Sequence, residues 1–154
     1  DAYVNVQGDE PLIDPASIEK AVRLLEAGCF SMATLMTPIQ DEAELQNPSV
    51  VKVVTDSRGR ALYFSRYPIP YSRGNLPAAG GRFACQRHLG LYVYRRETLF
   101  QVRDLAPSSL EQGEMLEQLR ALENGIEIGI AEVSSAGIGV DTPEDLERVR
   151  RLFV

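Results

Sequence analysis

Apolar residues in this chain fall into short runs, and glycine, proline and acidic clusters separate them. The first run stops at Gly8, and Asp9, Glu10 and Pro11 bar its continuation, the pattern of a buried strand that ends at a site. In such a strand Asn5, Gln7 and Asp9 share one side, and Val4 and Val6 take the other. Asp14 and Pro15 then supply a helix cap and a first-turn residue, and Ile18, Ala21, Val22, Leu24 and Leu25 recur at helical spacing before Gly28. Ser31 to Thr37 is apolar enough for a buried strand, closed by Pro38. One or two acidic helical turns, Asp41 to Leu45, precede the break at Asn47-Pro48. Val50 to Thr55 and Ala61 to Arg66 read as strands joined at Asp56-Ser57-Arg58-Gly59, a hairpin with Arg66 at its far end.

Tyr67 to Arg82 is a long loop rich in proline and glycine, a composition that suits both a lid over a site and an arm at a subunit contact. In the strand Phe83 to Tyr94, Leu89, Leu91 and Val93 form a core face, and His88, Gly90, Tyr92 and Tyr94 the other. His88 and Tyr92 then stand about 13 Å apart at their backbones, with bare Gly90 between them as a notch. Arg96 to Leu105 predicts a short helix, and Leu110 to Asn124 a second one burying Met115, Leu116, Leu119 and Leu122. On that second helix Glu117 lies in a row with Gly113 and Ala121, and Gln118 near the core edge. Ile126, Ile128 and Ile130 mark a last strand. Thr142, Pro143 and Asp145 announce a final helix that buries Leu146, Val149, Leu152 and Phe153. Because Thr142 takes the cap, Asp141 is left over as a candidate oxygen ligand.

At 154 residues, 44% of them hydrophobic, the chain fits one globular domain. Sixteen basic against 22 acidic residues give a net charge of −6, which argues against nucleic acid or an anionic membrane as a partner. Cys29 and Cys85 have no metal spacing, so two free thiols in a reducing cytoplasm are the default reading. No run approaches the length of a membrane span, and Asp1-Ala2-Tyr3 is not a signal peptide; a start inside a strand suggests a cut chain. There is no Walker motif, HExxH or Gly-x-Ser-x-Gly, and the Gly-x-Gly at Gly137 to Gly139 is too weak for a dinucleotide loop. From spacing alone, bland readings stand beside functional ones: Arg66 as an exposed strand end, Tyr92 as packing, Glu117 as a solvated helical acid, Asp9 as a helix cap.

Five segments carry a resemblance to a known family: Val-Asn-Val-Gln-Gly-Asp-Glu-Pro from Val4, Ala-Leu-Tyr-Phe-Ser-Arg from Ala61, Arg-His-Leu-Gly-Leu-Tyr from Arg87, Glu-Met-Leu-Glu-Gln-Leu-Arg from Glu114, and Gly-Val-Asp-Thr-Pro-Glu-Asp-Leu from Gly139. In this order and spacing the chain resembles the 3-deoxy-manno-octulosonate cytidylyltransferases, the bacterial CMP-Kdo synthetases that activate the acid sugar Kdo for lipopolysaccharide. The resemblance implies an α/β fold, a nucleotide-diphospho-sugar transferase-like (Rossmann-like) mixed-sheet sandwich, here incomplete at its amino terminus. It implies a nucleotidyltransferase taking CTP and Kdo, with Mg2+ held by Asp9 and Asp141. Arg66 would face the sugar carboxylate, and Gln7, His88, Tyr92, Glu117 and Gln118 would bind its hydroxyls. Family members are homodimers through this half. The family's opening nucleotide loop, of the form P-A-R-x-x-S-x-R-x-P-G-K-P, has no counterpart here. The chain thus looks like about the last three-fifths of such an enzyme, and it is expected to be inactive alone. The alternatives are another acid-sugar nucleotidyltransferase, CMP-sialic acid synthetase-like, and a non-catalytic dimerisation module.

Overall fold

The computed structural model describes residues 1–8, 10–71, 73, 85–134, 137, 139–140 and 142–153. Its elements run β1 (Ala2–Val6), α1 (Pro15–Glu26), β2 (Met32–Pro38), α2 (Glu42–Gln46), β3 (Lys52–Thr55), β4 (Ala61–Ser65), β5 (Gln86–Arg95), α3 (Arg96–Asp104), α4 (Ser109–Glu114), α5 (Gln118–Glu123), β6 (Ile128–Glu132) and α6 (Pro143–Arg150). The strands form one mixed sheet in the order β4-β3-β5-β2-β6, with β1 also on β5. Only the β2–β6 pair is parallel among these pairings.

β5 organises the sheet. One edge carries β2 from Met32 opposite Tyr94 to Pro38 opposite Gln86, with a bulge between Thr34 and Leu35. The other edge is divided between two strands. β1 pairs from Ala2 opposite Arg95 to Val6 opposite Leu91, and β3 takes over with Lys52 opposite Arg87. The His88 N–H donates to Val51 O at 2.8 Å, so Leu89 and Gly90 lie in the interval where one partner strand has ended and the next begins.

The two faces of β5 divide the core as the alternation predicts. Leu89, Leu91 and Val93 pack with Ala33, Leu35, Val133 and with Ala21 and Leu25 of α1. Tyr92 and Tyr94 join Met32, Met36, Phe64, Ile128 and Ile130 on the opposite face, under Leu116, Leu119 and Ala121. Each of these large side chains contributes roughly 1.5–3 kcal/mol by leaving water. The Asp14 cap, the hairpin from Lys52 to Ser65 and the Thr142–Asp145 capping box all take the predicted form.

Three expectations are corrected. β1 is not a buried strand: all five of its residues are exposed, because it has β5 on one side and no strand on the other among the described residues. The helix from Leu110 to Asn124 is two helices. Met115 adopts the left-handed conformation (φ 54°, ψ 49°) and is 75% exposed, while Leu116 turns into the core. The break has a polar cause, since the Glu114 carboxylate accepts from Ser65 Oγ at 2.6 Å and from the Arg66 N–H at 2.8 Å. Glu114 is thereby tied to the end of β4, and the chain must turn there to bury Leu116. Finally, α6 buries Val149 but leaves Leu146, Leu152 and Phe153 exposed, its last helical residue being Arg150. Most of the long loop from Tyr67 to Arg82 lies outside the described residues.

Candidate functional site

A cavity of about 620 Å³ opens where β1 and β3 succeed each other along β5. Gln7 follows β1, Arg66 follows β4, His88 and Tyr92 stand on one face of β5, and Glu117 and Gln118 begin α5; all six line the cavity. Four stretches far apart in sequence therefore meet at one place. Asp9 and Asp141, the expected magnesium ligands, lie outside the described residues. Among the described residues no group of three or more His, Cys, Asp or Glu side chains could hold a metal ion.

The notch expected at Gly90 exists, and Gln7 occupies it. A Cβ on Gly90 would come within 2.7 Å of Gln7 Oε1, so the bare α-carbon is what lets the amide lie across the strand. The rings on either side also close over this position: their backbones are four residues apart, but the centroids of His88 and Tyr92 are separated by only 5.4 Å. Phe64 meets His88 edge-on at 5.0 Å, and Tyr94 lies 6.0 Å beyond Tyr92, giving an aromatic row along the cavity floor.

Burial, and secondarily the Arg87 charge, depress the His88 imidazole to about 3, so it is neutral at physiological pH. Its Nε2 lies 2.9 Å from the Thr34 hydroxyl. Burial likewise pushes the Tyr92 hydroxyl well above its ordinary value and that of Tyr94 to about 12, so both remain protonated donors.

Arg66 is more constrained than a strand-end arginine. Its Nε donates to Glu114 O at 2.8 Å, one terminal nitrogen to Pro48 O at 3.0 Å and the other to Met115 O at 3.3 Å. These carbonyls fix the guanidinium plane between the α4–α5 corner and the 47–50 segment. Five N–H groups less three leaves one on each terminal nitrogen.

Several contributors escape a reading of the sequence. Arg87 lines the cavity, bonded to Glu44 at 3.2 Å, whereas Asn5 lines it on the same side as Gln7, as the strand alternation predicts. Lys52 is fully buried and donates to Asn47 O at 2.9 Å and Val50 O at 2.6 Å, steadying the wall formed by Ser49, Val50 and Val51. Burial lowers its ammonium, and nearby Glu114 opposes that shift. A charged residue in the run Val-Val-Lys-Val-Val is the one signal that points to it. Gln118 is buried, as its position near the core edge predicts; Glu117 is exposed and stands at the amino end of α5 instead of in a continuous helical row.

The protein is thus of the α/β class, a six-stranded mixed sheet with helices on both faces and a polar cavity at strand ends, where open α/β sheets bind ligands. A family model described as cytidylyltransferase matches residues 1–128, and the chain belongs to that family. The chain is 54% identical over 154 residues to the 3-deoxy-manno-octulosonate cytidylyltransferase of Syntrophotalea carbinolica, covering 95% of this chain and 60% of that protein. With the enzyme of the same name from Pelobacter propionicus it shares 49% over 160 residues, covering 99% and 63%. A solved structure of a CMP:2-keto-3-deoxy-manno-octonic acid synthetase complexed with CTP superposes with a TM-score of 0.87 at 44% identity, covering 99% of this chain and 61% of that one. The chain thus spans about three-fifths of the length of the curated relatives it matches.

Proposed function

We propose that the protein containing this chain transfers CMP from CTP to the anomeric hydroxyl of Kdo, releasing pyrophosphate, and that residues 1–154 supply the acid-sugar side of the site. The supporting observation is convergence: Gln7, Arg66, His88, Tyr92, Glu117 and Gln118 line one cavity although four separate segments carry them. The amides and the Tyr92 hydroxyl suit a polyhydroxylated ligand, and the two remaining N–H groups of Arg66 suit its carboxylate. Phosphoryl transfer of this kind depends on positioning and charge neutralisation and needs no covalent nucleophile. Asp9 and Asp141, both hard oxygen donors, would hold Mg2+, which when bound neutralises charge on the phosphate. The reading includes action as a homodimer in the cytoplasm, on the route to lipopolysaccharide.

Both arginines at the cavity are already committed, Arg66 to three carbonyls and Arg87 to Glu44. The two N–H groups that Arg66 retains are assigned to the sugar carboxylate, so neither arginine lining the cavity is left to hold a triphosphate. The 154-residue chain alone is therefore expected to bind Kdo with Mg2+ present but to form no CMP-Kdo. Calorimetric titration with Kdo, N-acetylneuraminate and mannose, alongside an assay of pyrophosphate release, tests this. Preference for N-acetylneuraminate would move the reading to a CMP-sialic acid synthetase-like enzyme. A chain that self-associates and binds no acid sugar would make it a dimerisation module, and CMP-Kdo formation by the chain alone would overturn the division of labour.

A further inference from the structure

Thr34 is fully buried on β2 beside the bulge, and it reaches three acceptor or ring atoms at once. Its hydroxyl oxygen lies 2.6 Å from Leu91 O, 3.2 Å from Leu89 O and 2.9 Å from His88 Nε2. A hydroxyl has one proton to give, and a carbonyl oxygen can only accept. At 2.6 Å the Thr34 proton must lie toward Leu91 O, because two bare oxygens would repel at that separation. The hydroxyl can therefore only accept from the imidazole, and Nε2 must carry the hydrogen.

We infer that Thr34 is a positioning residue that holds His88 in the Nε2–H form, so that Nδ1 offers the cavity a lone pair and selects a ligand hydroxyl. Among the described residues Nδ1 has no hydrogen-bond partner, and the ring lines the cavity. An acceptor at that point favours a sugar hydroxyl and disfavours a carboxylate or carbonyl oxygen, whose lone pairs it would meet. The bulge between Thr34 and Leu35 has a role in this geometry. It brings the Leu89 and Leu91 carbonyls to the same hydroxyl, so a proton turned toward the ring would leave the hydroxyl oxygen facing the Leu91 carbonyl oxygen at 2.6 Å with no hydrogen between them. The hydroxyl-selecting part rests on the reading that the cavity takes Kdo; the tautomer part does not.

His88 is the only histidine of the chain, so a nitrogen-15 spectrum of histidine-labelled protein reports on it alone. The expected spectrum of the ligand-free chain at pH 7 has a protonated Nε2 and an unprotonated Nδ1. An Nδ1–H form, or rapid exchange between the two forms, would overturn the inference. Thr34→Ser should keep the wild-type pattern, and Thr34→Val should lose it and weaken Kdo binding about tenfold, the cost of one well-placed hydrogen bond. If Thr34→Val fails to fold, the wild-type and Thr34→Ser spectra still decide the tautomer. On adding Kdo, the Nδ1 resonance should move as for an accepted hydrogen bond with Nε2 unchanged; Kdo bound with Nδ1 unmoved would overturn hydroxyl selection. Failure of Kdo to bind at all would count against the substrate reading, and the ligand-free spectrum would still decide whether Thr34 sets the tautomer.

Discussion

At the scale of single residues, the cavity floor couples stability to pH through one imidazole. His88 is held near 3 in the folded chain by burial first and by Arg87 second, against an ordinary value near 6.5. As pH falls below about 6.5 the unfolded chain takes up a proton that the folded chain refuses, so stability declines from there down to the folded value. Between pH 6.5 and pH 5 the loss should be about 1.6 kcal/mol, before most carboxylates titrate. Chemical denaturation across that interval, compared with a His88→Gln variant whose profile should be flat there, measures it. Gly90 makes a different prediction. Because the three nearest atoms its Cβ would meet all belong to the flexible Gln7, Gly90→Ala should change stability by less than about 1 kcal/mol while displacing Gln7 and weakening Kdo binding. A large loss of stability with unchanged binding would contradict this.

At the scale of elements, the corner between α4 and α5 sets the cavity's rim. Met115 occupies left-handed backbone space while its side chain is 75% exposed, so Met115→Gly should stabilise the chain by about 0.5–1 kcal/mol and Met115→Ile should destabilise it by at least as much. Thermal melts of both variants check the pair. Glu114→Ala should cost about 2 kcal/mol, because Ser65 Oγ and the Arg66 N–H both lose their acceptor. This corner also marks the limit of what local pattern can show. Helical spacing runs unbroken from Leu110 to Asn124, and the interruption is written in a contact between Glu114 and the end of β4, 48 residues from Arg66, which no local period can reveal. By contrast the caps at Asp14 and Thr142 and the two faces of β5 were legible, since each depends only on neighbours within a few residues.

For the whole molecule, the candidate site was legible as a set of residues but not as a place. The family-like segments named six residues that line the cavity, yet nothing in their spacing said that β1 would stop where β3 begins, or that Gln7 would lie on Gly90. Of the buried polar supports, Thr34 was hidden because a threonine is common in a strand, and Lys52 showed only as a charge in an apolar run. The same sheet carries an exposed edge. Tyr3, Val4 and Val6 of β1 are each about two-fifths exposed, beside backbone groups with no strand partner among the described residues. Such an edge invites pairing with another chain, and Val4→Lys should reduce light scattering at high concentration while changing the melting temperature little.

β5 also governs when this chain can fold as it is made. β1, β2 and β3 all take it as a neighbour, and it begins only at Gln86. A ribosome must therefore release more than half of the 154 residues before the first three strands can meet their common partner. Until then their apolar faces wait uncovered for a time set by translation speed, a matter of several seconds at about 5–20 residues per second. Slow codons or starvation upstream of β5 would lengthen that wait, and the cell's holding chaperones, more than the finished sheet, would decide how much of the nascent protein survives it.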